Sequence, residues 1–261
     1  MGLPFYLFLV LAGALGGLLS GMLGIGGGII MFPLLLYAPP MLGLPAIGIK
    51  SITGLTITQA FFAGLSALAF YKKERLINRG LVLTLGLALF CSSLAGSLFS
   101  KTAGDKPLLV IYGMLALFAA VMMLIPRNYE RDGLKNEDVN FNKPLAIIYG
   151  VAAGFLLGMV GQAGAFLTIP LMLYVLRIPL RVAVGSTLAI GLFSSTATLI
   201  GKIATGQVRV DMAAALLIGA IPMAYAGGAI GKRTHTKFLK WLLAAIICAT
   251  AVKIWSDILL K

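Results

Sequence analysis

The sequence predicts an all-α polytopic membrane protein built from two inverted repeats, each beginning with a broken, glycine-tipped helical hairpin. Three observations lead there. Only 11% of the 261 residues are charged and 60% are hydrophobic, where a soluble domain carries about 25% charged residues, and apolar runs long enough to span a bilayer recur along the chain. The stretch 21–37, GMLGIGGGIIMFPLLLY, holds Gly24, Gly26, Gly27 and Gly28 in close succession. Glycine costs about 1 kcal/mol relative to alanine inside a helix, so the helix should break there. The stretch then recurs at 158–174 as GMVGQAGAFLTIPLMLY, with Gly21, Met22, Gly24, Pro33, Leu34, Leu36 and Tyr37 matched by Gly158, Met159, Gly161, Pro170, Leu171, Leu173 and Tyr174. Loosened backbone at membrane depth is tolerated only where protein buries it or a wet cavity adjoins it. Two such segments in corresponding places of two halves point to a transporter binding site.

The elements follow in order. Residues 1–125 read as transmembrane repeat 1, 126–143 as a cytoplasmic linker and 144–261 as transmembrane repeat 2. The first apolar run, 3–23, lacks a positive leader and a cleavage pattern, so it should be retained. It carries Gly13, Gly17 and Gly21, and the second half carries Gly150, Gly154 and Gly158. A small residue every fourth position suits close helix packing, as does the pair Gly227 and Gly231. Ile29–Tyr37 reads as a half-helix that ends in a turn at Pro39, Pro40 and Pro45. A helix over 47–71 opens with KSITGLTITQ, and its counterpart over 182–201 begins with Gly185, Ser186 and Thr187 and continues through Ser194, Ser195, Thr196 and Thr198. Spans are expected at 81–99, 108–125, 212–230 and 241–260, with a loop at Lys202 to Asp211. Cys91 and Cys248 sit inside apolar runs and read as small packing residues.

The net charge of +13 would suggest nucleic acid in a soluble protein. Here the basic residues cluster in short loops, which is how membrane proteins set their orientation. If each half crosses an odd number of times, Lys72 to Arg79, Arg127 to Lys143 and Lys232 to Lys240 all face the cytoplasm. Only the sparser loops, Lys101 to Lys106 and Lys202 to Arg209, then face out. That arrangement requires inverted repeats. Nine residues of Ile29–Tyr37 reach about 14 Å at 1.5 Å each, short of a core near 30 Å, so each broken segment reads as a hairpin reaching the midplane.

Backbone N–H groups at the start of the second limb lack intrahelical partners and sit at the positive end of the helix dipole. Glycines there let an anion approach closely. The candidate substrate-binding residues are Gly24, Gly26, Gly27, Gly28, Ser51 and Thr53 in the first half, and Gly161, Gln162, Ala163, Gly164, Ser186 and Thr187 in the second, with Lys50, Gln59 and Ser194 as further candidates. Asp and Glu occur only at Glu74, Asp105, Glu130, Asp132, Glu137, Asp138, Asp211 and Asp257, none in the middle of an expected span. Cation transporters and proton pumps place carboxylates within the membrane, so the pattern argues for an anion. The only histidine, His235, lies in a basic loop, and no intramembrane Ser/His or Asp/Asp pair suggests an enzyme. No cofactor and no metal are expected. Expected partners are a small inorganic or organosulfur anion, the lipid bilayer and a second copy of the chain, with no nucleic acid.

GLLSGMLGIGGGIIMFPLLLY with KSITGLTITQ, and GFLLGMVGQAGAFLTIPLMLY with AVGSTLAIGLFSS, resemble the sulfite exporter TauE/SafE family of membrane permeases over essentially the whole chain. The resemblance implies a secondary transporter in the bacterial inner membrane that exports sulfite or organosulfonates such as sulfoacetate. The chain departs from the family pattern at Lys50 and at Gln162, Ala163 and Gly164, the positions that bear on substrate preference. An anion channel using the same site and a membrane scaffold without substrate are the competing readings.

Overall fold

The computed structural model describes residues 2–23, 28–71, 78–124, 141–176, 178, 180–234, 245 and 247–257. Among them the regular elements are helices: α1 (Leu3–Leu23), α2 (Gly28–Met41), α3 (Ile49–Tyr71), α4 (Arg79–Phe99), α5 (Asp105–Leu124), α6 (Lys143–Val160), α7 (Ala165–Tyr174), α8 (Leu180–Ala204), α9 (Val210–Arg233) and α10 (247–257). Six of these helices contain spans long and apolar enough to cross a membrane. The chain is therefore an all-helical, multi-pass membrane protein. The linker expected over 126–143 falls mostly outside the described residues. So do the basic residues Lys72, Lys73 and Arg75, residues Lys237 and Lys240, and His235.

Two expectations need correction. The helix that begins at Gly28 does not stop at Tyr37 but runs through Pro33, Pro39 and Pro40 to Met41. Proline lacks the N–H of a helix interior, yet here two of the three fall in the last turn, and the chain closes with Leu44 N–H donating to Pro39 O at 2.8 Å. The second correction is at α8, which extends to Ala204. Lys202 is thus helical and fully buried, not part of a loop. The cysteines also differ in setting: Cys91 is exposed on the bundle surface and Cys248 half-buried, both free.

The glycine stripes do what their spacing predicts, and they identify the partners. Gly13, Gly17 and Gly21 of α1 face Leu216, Ala220 and Ala224 of α9, while Gly219, Gly227 and Gly231 of α9 face Val10, Leu18 and Met22 of α1. A Cβ at any of these would strike the opposite backbone. The matching order on both helices means that α1 and α9 run in the same direction. In the same way Gly150, Gly154 and Gly158 of α6 meet Ala88, Ser92 and Ser93 of α4, and Gly96 meets Phe155, so α4 and α6 are also parallel. Gly54 of α3 lies against Gln207, and Ser66 donates to Ile221 O at 3.1 Å, so α3 runs with α9. Gly86 meets Phe193 and Gly201 meets Ser97, so α4 runs with α8. Against this, Thr53 meets Lys202 while Gly64 meets Leu192. The two Ser/Thr-rich helices, α3 and α8, are therefore antiparallel. The first helix of each half packs on the fourth helix of the other, and the equivalent third helices cross head to tail.

Candidate functional site

The second broken segment is described in full. α6 ends in a Schellman closure: Gly161 has φ +69°, its N–H donates to Gly158 O at 3.4 Å, and Gln162 N–H donates to Leu157 O at 3.0 Å. Only glycine adopts this left-handed turn readily, and there is no room for a side chain, because a Cβ would strike the Thr53 carbonyl. After Gln162 and Ala163 the chain reaches Gly164, φ +81°, which starts α7. Thr168 Oγ1 donates back to Gly164 O at 2.6 Å. The break at 161–164 is thus built from two left-handed glycines around one buried amide. In the first segment Gly24, Gly26 and Gly27 lie outside the described residues, but Gly28 is described and begins α2.

The second break meets the start of α2. Gln162 Nε2 donates to Gly28 O at 3.3 Å across the halves, and a Cβ on Gly28 would press on the Gln162 side chain and the Thr56 methyl. The start of α2 is fixed from its other side by α5: Tyr112 Oη donates to Ile29 O at 2.7 Å, and its ring stacks on Phe32 at 4.1 Å. One turn along α3 from Thr56 stands Gln59, facing Gly16 of α1 beside Met31. Gln59 is fully buried, and among the described residues neither atom of its amide has a hydrogen-bond partner. Gln162 Oε1 and Thr198 Oγ1 are likewise buried without partners. Buried polar groups in folded proteins are nearly always paired, and an unpaired one costs about 1–3 kcal/mol. The unpaired groups of Gln59 on α3 and Gln162 at the α6–α7 break are what a polar ligand would satisfy.

The other expected residues are spread along the bundle. Because α3 and α8 are antiparallel, their hydroxyl-rich beginnings lie at opposite ends. Thr53 Oγ1 donates to Lys50 O at 2.7 Å and accepts from Lys202 Nζ at 3.0 Å. Ser186, buried at the far end, accepts the Asn78 N–H at 3.1 Å, and Thr187 Oγ1 turns back to Ala183 O at 2.5 Å. Ser194 donates to Ser93 Oγ at 3.3 Å in the α4–α8 seam. Ser51 is half-buried. Lys50 donates to Lys101 O at 2.8 Å and closes the turn between α4 and α5. Of the expected set, the structure gathers Gly28, Gln59, Gln162, Ala163 and Gly164 around one junction, with Thr53 and Gly161 one step toward the end where α3 begins.

Sequence reasoning missed Lys202. Its Nζ donates to Ser100 Oγ at 2.8 Å, Met159 O at 2.9 Å, Gln207 Oε1 at 2.9 Å and Thr53 Oγ1 at 3.0 Å. A signal was present: the apolar run continues past it through Ile203 and Ala204, which a solvated loop lysine would not need.

Interrupted helices meeting inside a bundle of apolar spans, with unpaired polar groups at the meeting point, define a polytopic membrane transporter. The family model described as sulfite exporter TauE/SafE matches residues 9–254, and the chain belongs to that family. Among its relatives, the probable membrane transporter protein YunE of Bacillus subtilis is 23% identical, with 93% of this chain and 94% of the relative covered. The probable membrane transporter protein MJ0441 of Methanocaldococcus jannaschii is 26% identical over 92% and 91%. A probable membrane transporter protein of Xylella fastidiosa is 28% identical, again over 92% and 91%. No solved structure matches the chain.

Proposed function

We propose that the protein is a secondary transporter that exports small sulfur-containing anions, such as sulfite or sulfoacetate, across the bacterial cell membrane. The observation that carries this reading is the junction itself, where Gln162 of one broken segment bonds Gly28 of the other beside the unpaired amide of Gln59. The family description supplies the sulfur oxyanion as the first substrate to try. Charge supports an anion: of the described carboxylates, Asp105 and Asp211 are exposed, and Asp257 pairs with Lys253 at 3.1 Å, so none is available as a buried cation ligand. N–H groups at the starts of α2 and α7 and the amide donors together suit an oxyanion.

The helix directions support inverted repeats, since equivalent helices α3 and α8 oppose each other. By those directions α3 and α9 end at one end of the bundle and α4 and α8 at the other, and α5, which begins just after α4 stops, returns toward the first. In the sequence the segments after α3, α5 and α9, a first set, carry Lys72, Lys73, Arg75, Arg127 and Lys237, with Lys232 in the last turn of α9; those after α4 and α8, the second, carry Lys101 and Arg209, with Lys106 in the first turn of α5. The positive-inside rule assigns the first set to the cytoplasm. Residues 1–125 and 144–261 are then the two repeats.

A thermal-shift screen of the purified protein with sulfite, sulfate, thiosulfate, sulfoacetate and taurine tests the reading. A true ligand at about 100 times its dissociation constant stabilises by about 2.7 kcal/mol. No shift with any of them, together with no flux, rejects it.

A further inference from the structure

We propose that Lys202 is a second anion-binding group, the counter-charge that a small oxyanion meets between the broken-helix junction and the end of the bundle where α3 begins. The inference rests on the anion-transport reading above. Lys202 is fully buried, and its partners are four neutral oxygens: two hydroxyls, an amide and the Met159 carbonyl. No described carboxylate is among them. A buried charge without a counter-ion costs several kcal/mol even when hydrogen bonded, and a glutamine could join the same elements at less cost. A cation kept without a fixed anion fits a mobile one.

Position gives the charge its role. Met159 lies three residues before Gln162, and Thr53, which bonds Lys202, also packs its backbone on Gly161. On the other side Gln207 Nε2 donates to Ser100 Oγ and to Thr205 Oγ1, both at 2.9 Å, and Ser100 adjoins Lys101, whose carbonyl accepts from Lys50 in an exposed contact. Lys202 therefore stands between the junction and that end of the bundle. An ammonium has three N–H donors but four acceptors surround this one, so an oxyanion can replace a neutral acceptor without leaving a donor unpaired.

Gln207→Glu separates an anion-binding lysine from a purely structural one. It places a fixed carboxylate beside the ammonium. A structural tie would be kept or strengthened, whereas a transient anion would face a permanent competitor. Proteoliposomes carrying wild type, Gln207→Glu, Lys202→Arg and Lys202→Gln are assayed with radiolabelled sulfite, sulfate and sulfoacetate. Expected are half-saturation concentrations raised about tenfold or more, or about 1.4 kcal/mol, in Gln207→Glu and Lys202→Gln, with Lys202→Arg within about threefold of wild type, or about 0.65 kcal/mol. If Gln207→Glu is not recovered folded, the two Lys202 variants decide. Folded Gln207→Glu or Lys202→Gln with wild-type half-saturation overturns the role of Lys202 and leaves the transport reading intact. Absence of wild-type flux for all three anions overturns both.

Discussion

Gln59 carries an amide that folding has buried and left without partners among the described residues. If that amide exists for a ligand, Gln59→Leu should leave stability equal to wild type or higher by up to about 1 kcal/mol, since no hydrogen bond is lost, while anion binding fails. Thermal unfolding with and without sulfite reads both quantities; a destabilised variant that still binds would make Gln59 a structural residue. Ser186 is the converse. Its hydroxyl is occupied by the Asn78 N–H, so Ser186→Ala should cost about 1 kcal/mol of stability and leave affinity unchanged. Two glycines at φ +69° divide backbone strain from crowding. Gly206 has open space around it, whereas a Cβ on Gly161 meets the Thr53 backbone. Gly206→Ala should cost about 1–2 kcal/mol with transport retained, and Gly161→Ala should cost more and abolish transport. Equal effects in a thermal-shift and flux comparison would mean that the close approach at Gly161 is unimportant.

At the level of helices, the glycine stripes decide which elements touch. Lipid offers no hydrophobic drive for helices to associate, so backbone proximity at small residues supplies the contact. Gly17→Leu inserts a side chain where the Ala220 backbone already sits. It should separate α1 from α9 and cost at least about 3 kcal/mol, the upper end for overpacking, visible as loss of monodisperse protein in detergent. A monodisperse variant with wild-type melting would remove the stripe from the account. These stripes were legible in the sequence because a four-residue spacing reports one face of a helix directly. Their partners were not, because Leu216, Ala220 and Ala224 are ordinary residues of an apolar run. The breaks were legible for the same kind of reason: glycine clusters oppose helix locally. The clustering of the site was only half legible. Ser186 and Thr53 look equivalent along the chain, but the antiparallel crossing of α3 and α8 sends their helix beginnings to opposite ends. At Lys202 the charge, near Gly206 and Arg209, points to a loop, while the apolar residues around it carry the helix on to Ala204.

Across the whole molecule, the proposed orientation can be read directly by labelling. Cysteines introduced at Lys73, Asn136 and Thr236 should be labelled from the cytoplasm and one at Thr205 from outside; reversed labelling of 205 and 236 would return the halves to parallel repeats. For the proposed export, the membrane potential supplies a driving force. An anion leaving a negative interior gains about 2.3 kcal/mol per charge per 100 mV. For a divalent oxyanion at roughly 150 mV that is about 7 kcal/mol, a concentration ratio of ~10⁵, enough for export without a coupled ion. Interior-negative potential, clamped with potassium and valinomycin, should therefore speed efflux more than a pH gradient does, and the opposite ranking would indicate proton coupling. The most direct test of the central claim compares saturable flux of radiolabelled sulfite and sulfoacetate through wild type and Gly28→Val in proteoliposomes. A valine at Gly28 would occupy the point where Gln162 crosses between the halves. Saturable wild-type flux is expected, and its loss in a membrane-inserted Gly28→Val. Equal saturable flux through both proteins would contradict the claim.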